Sequence, residues 1–238
     1  MLTDEEKNAN FPGLRDLVYL NTAAEGIPVT ASLEALEVYH SHKSMGMAGR
    51  DHLFQEYEVC QARAAELLGL TPEEVAFCSS TSEAYNLLMT SFRFEKGDEV
   101  IITDLDFPAG ATPWLQAAGN PDVLLWKNRE GVLELDDLKE LISKKTRLVQ
   151  VSLVSFLTGY RLVWPELHDL VREKAPGAIL SVDVTQAFGR VELDCLNADC
   201  IIGSSYKWLL GSHGGCVVAV PKASESKITV RAGGWYHL

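Results

Sequence analysis

The chain has 238 residues, of which 47% are apolar and 23% charged, the proportions of a globular protein with enough apolar side chain for a sizeable core. Asp and Glu total 33 against 21 Lys and Arg, and the resulting formal charge of −12 repels nucleic acid and anionic membrane surfaces. No apolar run reaches the roughly 18–20 residues of a bilayer span, and the acidic, polar MLTDEEKNANFPG lacks the make-up of a secretory signal, so a cytoplasmic protein with no nucleic-acid or membrane partner is expected.

Residues 31–44 and 51–69 read as helices. In the second, Leu53, Tyr57, Cys60, Ala64 and Leu67 recur at steps of four and three, forming one apolar stripe. Gly69 is placed to cap this helix and Pro72 to turn the chain beyond it. His40 and His42 stand two apart in EVYHSHKS; on a helix such residues do not share a face, so the spacing predicts two solvated histidines and no metal site. Next comes VAFC (75–78), an apolar run followed by SSTS and the helix-like SEAYNLLMTSF. DEVIIT (98–103) reads as a strand, LDDLKELISK (135–144) as a helix, RLVQVSL (147–153) as a strand and PELHDLVREK (165–174) as a helix. AILSVD (178–183), DCIIGS (199–204) and GCVVAV (215–220) complete the series.

Near-continuous Val/Ile/Leu runs indicate strands buried on both faces, and the helices between them indicate βαβ crossovers. The pattern predicts an α/β fold: a mostly parallel sheet with helices on both faces. The five cysteines are odd in number, lie among apolar residues and form no CxxC, which predicts buried free thiols of a reducing compartment.

In open parallel sheets ligands gather at the carboxyl ends of the strands. Ser79, Ser80, Thr81 and Ser82 follow the first apolar run at the start of a helix, where hydroxyls and free N–H groups suit a phosphate. Ser80 and Glu83 also have the spacing of a capping box, which accounts for the same residues without a ligand. Asp183 is the first charged residue after AILSV, and Gln186 follows it. The next run ends in Ser204, Ser205, Tyr206 and Lys207, where CIIGSSY and WLLG predict that the lysine stem lies against apolar groups. Burial lowers a lysine's pKa and turns its amine into a nucleophile. A phosphate cradle, a carboxylate and a buried amine on one rim are the three requirements of pyridoxal 5'-phosphate: an anion site, an anionic partner for the ring nitrogen and an amine for the aldehyde.

The segments YLNTAAEGIP (19–28), SSTSEAYNLL (79–88), DFPAG (106–110), TGY (158–160), VDVTQAFG (182–189), SSYKWLLG (204–211) and GGWY (233–236), in that order, resemble the class V aminotransferases. These are fold-type I pyridoxal-phosphate enzymes that include cysteine desulfurases and kynureninases. The resemblance implies a seven-stranded large domain over 46–238 and an N-terminal segment, 1–45, that joins the small domain and the active-site edge. By the same resemblance Lys207 corresponds to the Schiff-base lysine and Asp183 to the partner of the pyridinium nitrogen. Gln186 corresponds to the contact of the phenolic oxygen or ring. Thr81, Ser82, Ser204 and Tyr206 match phosphate ligands, and Phe107 matches the ring stacked on the pyridine. Trp235 matches a residue that reaches the neighbouring subunit's cofactor, implying a homodimer, although a plain core aromatic fits it as well.

Two departures shape the expected activity. Desulfurases place a histidine near Phe107 and an asparagine where this chain has Phe156, so desulfuration is disfavoured. The family's C-terminal small domain, with its substrate-carboxylate arginine, has no counterpart before Leu238. The expected function is aminotransfer or β-elimination (C–S or C–C lysis) at the α-carbon of an amino acid or amine. The alternative is a truncated family member that serves as a binding or dimerisation module.

Overall fold

The apolar runs assemble into one sheet. In the computed structural model, which describes residues 2–14 and 17–233, the strands are β1 (Val75–Cys78), β2 (Glu99–Thr103), β3 (Asp122–Trp126), β4 (Thr146–Ser152), β5 (Ile179–Asp183), β6 (Cys200–Ser204) and β7 (Cys216–Ala219). Their spatial order is β1-β7-β6-β5-β4-β2-β3. Strands β2 to β6 pair in parallel, while β7 runs antiparallel to both of its neighbours. The double reversal returns β1 to the common direction, so β1, β2, β4, β5 and β6 all end on one rim. The α/β, mostly parallel seven-stranded sheet is the fold this chain adopts.

Helices α1 (Asp4–Asn10), α2 (Thr30–Ser44), α3 (Arg50–Leu68), α4 (Thr81–Thr90), α5 (Pro108–Leu115), α6 (Leu135–Leu141) and α7 (Trp164–Lys174) surround the sheet. Alternate strand residues feed two cores. Ile101, Val149, Val151, Leu180 and Val182 meet α3, α6 and α7 on one face. Val100, Ile102, Leu148, Ile179 and Ile202 meet α4 and α5 on the other. This two-sided burial is why the strands read as unbroken apolar runs. The exception is β3, whose DVLLW carries little signal. It is an edge strand in which only Trp126 is fully buried, its indole donating to the Glu134 carbonyl at 3.0 Å.

Three expectations need correction. The core side of α3 is not the stripe read from sequence. Ala64 is buried, but Cys60 is exposed, as are Tyr57 (46%) and Leu67 (61%), and the buried residues are Ala64, Ala65 and Leu68. The polar Gln61 belongs to the buried side, because its amide donates to the Val75 carbonyl at 2.7 Å and ties the helix to edge strand β1. A hydrogen-bonded glutamine thus occupies a position that hydrophobic periodicity skips. The predicted Gly69 cap does form, in the left-handed conformation at φ 61°. His40 is exposed as expected, but His42 is only partly so: its ring stacks on His52 of α3 at 4.4 Å. Finally, the thiols of Cys195, Cys200 and Cys216 are buried as expected, but Cys78 is only partly covered and Cys60 is exposed.

Candidate active site

The sheet delivers its polar side chains to the rim in a fixed order. β5 ends in Asp183, and the backbone N–H of Thr185 donates to the Asp183 carboxylate at 2.8 Å. The Thr185 hydroxyl in turn accepts from the N–H of Ser204, the last residue of β6, at 3.1 Å. These two bonds lock the ends of adjacent parallel strands together and aim the carboxylate outward from the core. The chain then turns through Ser205 and Tyr206 to Lys207. Leu210 closes this turn in the left-handed region at φ 56°, an uncommon conformation for leucine that singles out the segment as conformationally constrained.

Lys207 is 5% exposed. Its Nζ stands over the Phe107 ring, 5.2 Å from the centroid, and 5.7 Å from that of Tyr206. No carboxylate among the described residues forms an ion pair with it. Burial lowers its pKa, an effect opposed by the more distant charges of Asp183 and Glu25. The result is a partly desolvated amine facing aromatic rings. Asp183 shifts the other way: burial raises its pKa, and the Thr185 hydrogen bond, the Lys207 charge and the Tyr85 hydroxyl pull it back. Burial thus favours the neutral form of the Lys207 amine, which is its nucleophilic form.

Thr81, Phe107, Asp183, Gln186, Ser204, Tyr206 and Lys207 line one hollow, together with Ser152, Val154, Phe156 and Thr185. The sequence reading named the first seven. Phe156 meets Phe107 edge to face at 5.1 Å. Ser82 is not among the lining residues; it is exposed on the first turn of α4. Trp235 lies outside the described residues. At the start of α4 the serine run forms the expected cap. The Ser80 hydroxyl caps the Glu83 N–H at 3.2 Å, while the Glu83 carboxylate reaches Ser79 and leaves the buried Thr81 at the hollow. Gln186 is already bonded on both sides of its amide, donating to the Ala23 carbonyl at 2.8 Å and accepting from the Trp208 indole at 2.7 Å.

The N-terminal segment completes the wall. Gly26 donates to the Tyr206 carbonyl at 2.9 Å, and Glu25 pairs with His213, whose ring stacks on Tyr206 at 4.2 Å. Sequence reasoning missed these residues along with Thr185, Tyr85, Gln150, Asp106 and Ser152. For Gln150 and Ser152 a signal existed: they are the polar members of the otherwise apolar LVQVSL (148–153). A larger cavity of about 670 Å³ lies between α4, β1 and the segment after β7, lined mostly by apolar groups such as Val75, Leu88, Val218 and Ile228. It contains neither a buried amine nor a buried carboxylate, so size does not locate the chemistry.

The family model of the class-V aminotransferases matches residues 18–236. This chain belongs to that family. Among curated relatives it is 28% identical to a probable cysteine desulfurase of Pyrococcus abyssi, over 93% of this chain and 58% of the relative. Among solved structures it matches the apo cysteine desulfurase of Thermococcus onnurineus NA1 with a TM-score of 0.86 and 24% identity, covering 99% of this chain and 61% of that one. It also matches the cystine C-S lyase C-DES, solved with its product cysteine persulfide, with a TM-score of 0.88 and 22% identity over 94% and 62% of the two chains. This member of the class-V family therefore spans about three fifths of the length of the proteins it matches.

Proposed function

We propose that this class-V family member is a pyridoxal 5'-phosphate enzyme acting at the α-carbon of an amino acid or amine, by aminotransfer or β-elimination. One observation carries the reading: the buried Lys207 amine, which has no ion-pair partner among the described residues, and the buried Asp183 carboxylate share a hollow with the Thr81 hydroxyl at the start of α4. The residues present fit the cofactor. Lys207 would hold its aldehyde carbon and Asp183 its ring nitrogen. Thr81, Ser204 and Tyr206 would take the phosphate, Phe107 would stack on the ring and Gln186 would border it. Ser82 was implied as a further phosphate ligand, which its exposed side chain supports less well. When bound, the cofactor supplies an electron sink for a carbanion at the substrate α-carbon.

Each residue's contribution follows from its surroundings. Lys207, with its depressed pKa, carries a smaller fraction of bound proton than a surface lysine and so serves both as nucleophile and as carrier of the α-proton. Asp183, fixed by Thr185, presents a negative charge in a dry site, where its effect on a ring cation is far larger than in water. Phe156, whose ring meets Phe107, stands where the resemblance places the asparagine of desulfurases, which favours a lyase or aminotransferase over a desulfurase.

The exposed apolar side chains of the N-terminal helices support a homodimer. α2 buries none of its residues, and Leu33, Leu36 and Tyr39 of α2 and Phe54, Tyr57 and Val59 of α3 are exposed. The division into a segment over 1–45 and a large domain over 46–238 agrees with the docking of Ala23 and Gly26 on the rim. No described helix is long and apolar enough to cross a membrane. The free cysteine thiols support a cytoplasmic location.

The decisive experiment is reduction with borohydride after incubation with pyridoxal phosphate. A yellow protein whose label maps to the Lys207 peptide supports the reading. A colourless protein that takes up no cofactor leaves only the binding or dimerisation module.

A further inference from the structure

Asp183 is not the only buried carboxyl at the floor of the site. Asp106, in the turn after β2, is 7% exposed. One of its oxygens accepts the Thr103 N–H at 3.0 Å, and the other accepts the Ser152 hydroxyl at 2.8 Å. Ser152 is the register partner of Asp183 on the neighbouring strand. Strands β2, β4 and β5 are adjacent in the sheet, so Asp106, Ser152 and Asp183 form a row across three strand ends. Next to the row lies Tyr85 of α4, fully buried, its hydroxyl accepting from the Gln150 amide at 3.0 Å; burial and the charges of both carboxyls hold its proton on.

Two carboxylates in one dry region resist double ionisation, and the difference between their surroundings decides which keeps the proton. Asp183 has the Lys207 charge, the Thr185 hydrogen bond and the Tyr85 hydroxyl to favour its anion. Asp106 has its hydrogen bonds from Thr103 and Ser152, but the charged group acting on it is Asp183, another anion. Burial and that anion together push the Asp106 carboxyl up to about 7.

We propose that Asp106 is a positioning residue that, in the cofactor-free protein, holds the proton of the pair and leaves Asp183 as the anion ready for the cofactor's ring nitrogen, while anchoring the turn that presents Phe107. The proposal rests on the pyridoxal-phosphate reading for its consequence but not for the carboxyl pair itself. A ring cation beside Asp183 cancels the charge that repels ionisation of Asp106. Cofactor binding therefore releases the Asp106 proton, and by linkage binding tightens as pH rises through its midpoint.

The test is carboxyl NMR of the protein labelled with ¹³C-aspartate, first without cofactor. One aspartate resonance titrating near pH 7 that vanishes in Asp106→Asn is expected, with Ser152→Ala moving its midpoint upward by loss of a donor to the anion. On addition of pyridoxal phosphate the midpoint moves down. Between pH 6 and 8 cofactor affinity then gains up to about tenfold over the pH dependence of Asp106→Asn, which retains only the titration of the cofactor and of Lys207. The carboxyl pair is refuted if no aspartate titrates above pH 5, or if a resonance near 7 persists in Asp106→Asn or ignores Ser152→Ala. A titration that behaves as expected in a protein taking up no cofactor supports the pair and refutes only the cofactor reading. Cofactor uptake that leaves the midpoint unmoved overturns the link between them.

Discussion

Gly26 lies flat against the turn that carries Lys207: a Cβ at this position would fall 2.0 Å from the Lys207 carbonyl oxygen and 2.8 Å from that of Tyr206. The contact joins two segments 181 positions apart in sequence, and only a residue without a side chain permits it. Gly26→Ala should force the N-terminal segment off the rim. We expect a loss of about 1–3 kcal/mol of stability, the usual cost of overpacking, and clearly faster release of the cofactor. Chemical denaturation and dialysis of the loaded protein measure the two effects.

Asp183→Asn keeps the shape of the side chain and removes its charge. Labelling of Lys207 by cofactor and borohydride should survive. Exchange of the substrate α-proton with deuterated water should fall by about 10²–10³, the scale on which a preorganised electrostatic partner acts. Unchanged exchange would remove Asp183 from the proposed role.

The depressed pKa of Lys207 has a definite sign in two measurements. Its neutral amine is available at lower pH than that of a surface lysine, so the rate of cofactor capture should level off below the ordinary lysine value of 10.5. For stability, the unfolded chain binds the Lys207 proton more tightly than the folded one. Between the folded and unfolded values, stability of the cofactor-free protein therefore rises with pH, and Lys207→Met removes that part of the slope.

The face of α3 that enters the core can be checked by neighbouring leucines. Leu68→Ala should cost about 2–5 kcal/mol, as for other fully buried leucines. Leu67→Ala, at an exposed position, should change stability by about 0.5 kcal/mol or less. Equal costs would return the helix to the face suggested by its periodicity.

If α2 and α3 form the subunit contact, charges placed there should separate the subunits without unfolding them. Leu36→Glu combined with Tyr57→Glu, both at exposed positions, should convert a dimer to a monomer in sedimentation while leaving thermal unfolding of the core nearly unchanged. A wild-type protein that sediments as a monomer would remove the homodimer from the proposal.

The sequence by itself determined the class of fold and marked the residues proposed for the chemistry. Runs such as RLVQVSL and AILSVD show two-sided burial because every position along a central strand is covered. Asp183 and Lys207 stand out because polar residues immediately after such runs fall on one rim. What only the tertiary structure decided are the relations between distant segments: β7 inserted between β1 and β6, Gly26 pressed on Lys207, and Asp106 bonded to Ser152 beside Asp183. Hydrophobic periodicity is a local signal. Strand order, register and close backbone approach are set by pairings between remote parts of the chain, which leave no periodic mark in either partner. The turned face of α3 has the same origin, for Gln61 is drawn inward by a carbonyl of β1, a group its own helix does not contain.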